Sequence, residues 1–130
     1  MQVSITSGCH DCHTDGYNES LGEIDPTKAL KGSSIGFRGP WGTTYAANLR
    51  VNALLWSEKR FVAMMKTLKT RPPMPWYNVQ AMDESDLRSL YLYIKSLGEV
   101  GEEAPEVISD PDEEPTTPYI QLAPPQMPKN

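Results

Sequence analysis

Both cysteines and both histidines of this chain fall within five consecutive positions, Cys9-His10-Asp11-Cys12-His13. This cluster narrows the possible folds more than anything else in the sequence, because three chemistries can use it and each demands a different frame. A thiol–disulfide pair wants a buried strand before the first cysteine and a βαβ pattern after it. A structural zinc wants about four nitrogen or sulfur ligands, usually as two separated pairs. Cys-x-x-Cys-His is also the attachment pattern for haem c.

The surrounding residues discriminate among the three. The stretch before Cys9, MQVSITSG, is short, and no alternating βαβ pattern follows it. No cysteine or histidine remains beyond His13, so zinc would have to complete its shell with carboxylates such as Asp11 or Asp15. Shuffled versions of this composition reproduce Cys-x-x-Cys-His in only about two of ten thousand arrangements, so the spacing is not an accident. In the haem reading Cys9 and Cys12 stand one helical turn apart and add their thiols to two vinyl groups, while His13 ligates the iron. A short helix is expected to carry them. His10 is left without a task.

His13 fills one axial position, and with no third histidine the leading candidate for the other is a methionine. Met1 is terminal, Met127 lies in a proline-rich tail, and Met64 and Met65 sit in a helical run where core packing is the usual use. In RPPMPWYNVQAMDESDL, prolines on both sides of Met74 stiffen the backbone and remove amide donors. Met82 instead immediately precedes a helix start, where an apolar side chain more often staples the helix to the core. Met74 is therefore the expected distal ligand, with Met82 or an open site as alternatives.

Two helices follow from periodicity. In DESDLRSLYLYIKSLG, Asp83 is a candidate cap, Leu87, Leu90, Tyr91, Ile94 and Leu97 form one stripe, and Gly98 can end the helix. It is expected to pack on the N-terminal helix. A Ser57 cap leads into EKRFVAMMKTLK, with Phe61, Val62, Met65 and Leu68 on one side, expected to wall the haem pocket. Residues 32–56, rich in glycine and aromatics, read as a loop wrapping the haem edge. In that loop Arg38, Trp41, Tyr45 and Arg50 can donate hydrogen bonds to the haem propionates, although Trp41 and Tyr45 also suit plain core packing. Little strand is expected, and the fold class is all-α, with three to five helices around one haem.

Charge divides the chain in two. Residues 1–98 carry 11 basic and 9 acidic side chains, whereas residues 99–130 carry 1 basic and 8 acidic ones with seven of the twelve prolines. The expected organisation is a haem domain over 1–98 and an extended, solvated acidic tail over 99–130. One apolar patch in the tail, TPYIQLAPP, offers a docking point through Tyr119, Ile120 and Leu122. No run approaches the ~18 apolar residues that a membrane span needs. Because haem c is assembled outside the bacterial cytoplasm, the expected location is the periplasm, with a leader or anchor absent from this chain.

CHDCHT, GTTYAANLR, WSEKRFVAMMKTL and PPMPWYNVQAMDESDLRSLYLYIKSL, in that order, resemble the class I cytochromes c of proteobacteria. They are most similar to the single-haem domains in multihaem subunits of membrane-bound alcohol and aldehyde dehydrogenases. The resemblance covers about residues 3–98. It implies a small class I cytochrome c fold, thioethers at Cys9 and Cys12, and iron ligands His13 and Met74. It also implies propionate contacts from Tyr45, Asn48 and Arg50. The chain departs from the family in its clipped N-terminal helix, in Arg50 after Asn48-Leu49 where threonine is usual, and in its acidic tail. The implied function is a one-electron carrier, not an enzyme, working as a monomer with periplasmic redox proteins, a dehydrogenase donor, an oxidase acceptor or both, with no nucleic acid involved. A haem-based ligand-binding or sensor domain with an open distal site is the alternative.

Overall fold

The apolar stripe of residues 83–98 is a helix in a computed structural model of the chain, which describes residues 1–122. Among the described residues six helices run in the order α1 (Gln2–Thr6), α2 (Cys9–His13), α3 (Leu49–Leu55), α4 (Glu58–Lys66), α5 (Trp76–Gln80) and α6 (Glu84–Ser96). Asp83 takes the N-cap position of α6 with extended dihedrals, although its side chain makes no capping bond. Gly98, just past the helix, has φ 84°, a left-handed ending that glycine adopts without strain. The hydroxyl of Ser57 caps α4 by accepting from the Arg60 amide.

These helices share one core. Leu30, Phe61, Leu87 and Ile94 are each at most 1% exposed, and burying a side chain of this kind stabilises the fold by roughly 1.5–3 kcal/mol. Helix α6 packs against α1, α3 and α4, so the expected contact between the last and first helices is present. The Tyr91 hydroxyl crosses the core to donate to the Trp56 carbonyl at 2.9 Å, holding the end of α3.

The all-α expectation is overturned by the stretch read as a loop. β1 (Gly36–Gly39) and β2 (Gly42–Tyr45) form an antiparallel hairpin, and β3 (Tyr119–Gln121) pairs with β1 in parallel, giving the order β2-β1-β3. Six helices beside a three-stranded mixed sheet do not constitute an all-α class, and these elements do not establish a class I cytochrome c fold. The physical reason lies in the glycines. Gly39 pairs with Gly42 across the two-residue turn Pro40-Trp41, and Gly42 takes φ 102°, so they permit a tight turn rather than a wandering loop. Phe37, Thr43, Thr44 and Tyr45 then supply residues that suit a pleated surface.

The solvated-spacer expectation also fails for the described part of the tail. Thr43 and Ile108 exchange both backbone hydrogen bonds, at 2.8 and 2.9 Å, along the outer edge of β2. On the other edge the Gly36 amide donates to Pro118 and the Leu122 amide to Arg38. The tail therefore clasps the hairpin from both sides. A Cβ on Gly42 would overlap the Ile108 carbonyl oxygen, so this approach requires glycine. The tail docks at the apolar patch seen in the sequence, but through backbone pairing with β1 and not through apolar burial, since Ile120 is 50% exposed and Tyr119 half-buried; Ala123 to Pro125 of that patch, and Met127, lie outside the described residues.

Candidate functional site

Helix α2 presents the cluster on about one and a half turns. Cys12 is exposed and Cys9 half-buried, and both are free thiols. Burial pushes the Cys9 thiol up to about 11, with the nearby Asp11 charge adding to the rise, and burial raises Cys12 as well. Cysteines that exchange disulfides are tuned the opposite way, toward the thiolate. The thioredoxin-like reading therefore finds no support in this electrostatic environment.

His13 is buried, and its Nδ1 lies 2.7 Å from the Ala47 carbonyl oxygen. A carbonyl only accepts, so Nδ1 carries the proton and Nε2 is left with its lone pair. Burial lowers the pKa of the ring against the opposing effect of the Ala47 bond, so the imidazole is held neutral. Fixing one ring nitrogen on a backbone carbonyl while the other keeps its lone pair is how proteins prepare a histidine to bind metal. Among the described residues no group of three His, Cys, Asp or Glu side chains converges to hold a metal ion.

His10, which had no task in the sequence reading, belongs to the scaffold. It is 1% exposed, with Nε2 2.9 Å from the Ser4 hydroxyl and Nδ1 2.8 Å from the Thr14 hydroxyl. Ser4 already donates to Met1, and Thr14 already accepts from Leu30. One tautomer uses every proton once: Nε2 donates to Ser4 and Nδ1 accepts from Thr14. The ring also stacks on Tyr17 at 5.1 Å. His10 thus has a structural task, tying α1 to the end of α2 and, through Thr14, to the core residue Leu30.

Met82 and Met74 stand in different environments. Met82 packs against the core and its sulfur receives the Ser7 hydroxyl at 3.9 Å. Met74 is half-buried in the loop before α5, and that loop is tied to β2 by the Thr44 hydroxyl donating to the Pro72 carbonyl at 2.8 Å. The side chains assigned to the propionates make their polar contacts within the chain. Arg50, 2% exposed, donates to the carbonyls of Pro26, Ala29, Leu97 and Glu99. Asn48 donates to Val100 and Glu102 at 2.8 Å each. Tyr45 meets the Thr117 hydroxyl, Arg38 reaches Tyr119 and Pro111, and Trp41 folds back to donate to Phe37. A cavity of about 320 Å³ lies between residues 28–34 and 102–105, lined by Lys28, Lys31, Glu102 and Glu103 among others, and none of the expected iron ligands lines it.

No family model, curated protein or solved structure matches the chain. The site's chemistry therefore rests on its own donors. Two reduced thiols one turn apart, followed by a neutral imidazole with a free Nε2, fit a covalently attached haem. The Ala47 carbonyl was missed by sequence reasoning, because a main-chain oxygen carries no residue-type signal.

Proposed function

We propose that this chain is a monohaem c-type cytochrome, carrying single electrons between periplasmic redox proteins. The observation that carries the reading is His13: its Nδ1 is committed to Ala47 and its Nε2 has no hydrogen-bond partner among the described residues, in a cluster with two free thiols. The thiols of Cys9 and Cys12 would hold a haem covalently, each by addition of its S–H across one vinyl double bond, sulfur to one carbon and hydrogen to the other, with no leaving group. Nε2 of His13 and the thioether of Met74 would hold the iron. When bound, the haem supplies a one-electron iron couple, and a thioether ligand raises its potential relative to nitrogen ligation.

Iron held by both His13 and Met74 would have no open position for a substrate, which favours a carrier over a sensor or an enzyme. Partners of a carrier dock weakly, through interfaces below about 1,200 Å². Among the described residues no helix is long and apolar enough to cross a membrane. The leading test is acid–acetone extraction and intact mass of protein matured in a haem-c-assembling host. Colour should stay with the protein, and the mass should exceed the apo mass by one haem; colour leaving with the solvent rejects covalent attachment. Oxidised protein should show the weak near-infrared sulfur-to-iron band, lost in Met74→Ala and kept in Met82→Ala. The reverse pattern assigns the ligand to Met82, and carbon monoxide binding to the reduced protein at neutral pH favours the open-site alternative.

A further inference from the structure

We propose that residues 97–102 form a strap that positions His13, by gripping Asn48 and so fixing the Ala47 carbonyl that holds the imidazole. The inference deepens the reading of His13 as an iron ligand and rests on it. Ala47 is exposed, and its methyl group has nothing with which to anchor the peptide. Its carbonyl is only as well placed as the backbone on either side.

One flank is held by close backbone packing. Gly32 donates to the His13 carbonyl at 2.8 Å, and Ser33 donates to Ala46 at 3.2 Å. A Cβ on Gly32 would come within 2.6 Å of the Ala46 oxygen and 2.7 Å of the Ala47 carbonyl carbon, so the two backbones are in direct contact. The other flank is held by Asn48, 3% exposed, whose amide is fully used. Its Oδ1 accepts from the Arg50 amide at 3.0 Å, capping α3, and its Nδ2 donates to both Val100 and Glu102. Arg50 fixes the strap in turn, through the carbonyls of Leu97 and Glu99 at the exit of α6. The strap acts through carbonyls alone, so its effect is one of geometry and not of the acidic side chains.

A firm bond from Nδ1 to a carbonyl makes Nε2 a stronger donor, which favours ferric iron and lowers the potential. Loosening the strap should weaken that bond and raise the potential. Two full-length variants test this. Asn48→Asp keeps an oxygen for the Arg50 amide, so α3 stays capped, but turns both donors toward the strap into an acceptor. Gly101→Pro leaves Asn48 intact and displaces the two carbonyls, because Gly101 has φ 76° and proline cannot adopt it. If one variant fails to fold, the other carries the test.

Both variants should show a higher reduction potential than the parent, with covalent haem and the near-infrared band retained. Glu102→Gln, which changes only the side chain, should match the parent at high ionic strength. In the haem-free full chain, nitrogen NMR of the imidazole should report a single Nδ1–H tautomer for His13 in the parent and a mixture in the variants. A single tautomer in the variants overturns the strap. If the parent takes up no covalent haem, the carrier reading fails while the tautomer comparison still decides the strap.

Discussion

Phe61 and Thr43 are both completely buried, yet they stand for two ways of holding a chain together. Phe61, in α4, sits among apolar side chains from α3 and α6 that exclude water from one another. Thr43, in β2, is surrounded by backbone, with strand β1 on one side, Ile108 on the other, and a hydroxyl that finds no partner among the described residues. The helical half is stabilised by area, which tolerates small adjustments. The sheet half is stabilised by register and close approach, which do not.

Phe61→Ala is expected to have the largest effect, a loss of about 3–5 kcal/mol, because it opens a cavity at the junction of three helices. Urea unfolding should show a single lowered transition with the helical and sheet signals falling together; separate transitions would split the two halves into independent units. Gly42→Ala should cost about 1–3 kcal/mol through its left-handed backbone and should expel Ile108 from the β2 edge. Hydrogen exchange should then accelerate at the Thr43 and Ile108 amides while α6 stays protected. Equal acceleration in α6 would show that the tail supports the helices as well.

A third prediction concerns pH. Burial holds the His10 pKa below its ordinary 6.5. Above that pH the ring is neutral in both states and its contribution is complete. As pH falls through 6.5, the unfolded chain takes up a proton that the folded ring refuses, so stability declines until the lower folded pKa is reached. In the haem-free chain, His10→Gln should reduce the difference in urea midpoint between pH 7 and pH 5, leaving the part due to His13, which shifts the same way. An undiminished difference would remove His10 from the account. Least affected should be Arg88→Ala, which removes exposed ion pairs to Glu58 and Glu84 at a cost below about 1 kcal/mol.

The same contrast explains what could be read from the sequence. Helices α4 and α6 announce themselves because each core contact repeats every three or four residues, and α2 because the thiol spacing demands it. The hairpin did leave a signal, two β-prone runs separated by the pair Pro40-Trp41, but four surrounding glycines made a loop the simpler reading. β3 is three residues long, and its pairing depends on a partner remote in sequence, so no local pattern marks it. Arg38, Trp41, Tyr45 and Arg50 were read as donors to haem propionates, with Asn48 added by the resemblance, whereas they make their polar contacts within the chain. What could not be read was that a proline-rich acidic stretch would supply many of the acceptors, since backbone carbonyls look alike in every residue.

The clasp of the tail around the hairpin also orders events in time. Gln121 donates to the Arg38 carbonyl across a separation of 83 residues, so the sheet is completed only after nearly the whole described chain has been synthesised. Closing so long a loop is paid in chain entropy before any strand pairing returns it, which makes this the slow part of assembly. Until then β1 and β2 expose two unpaired edges, the kind of surface on which chains aggregate. A chain interrupted before its tail is made would therefore keep the whole Cys9-to-His13 cluster while remaining prone to associate through its open hairpin.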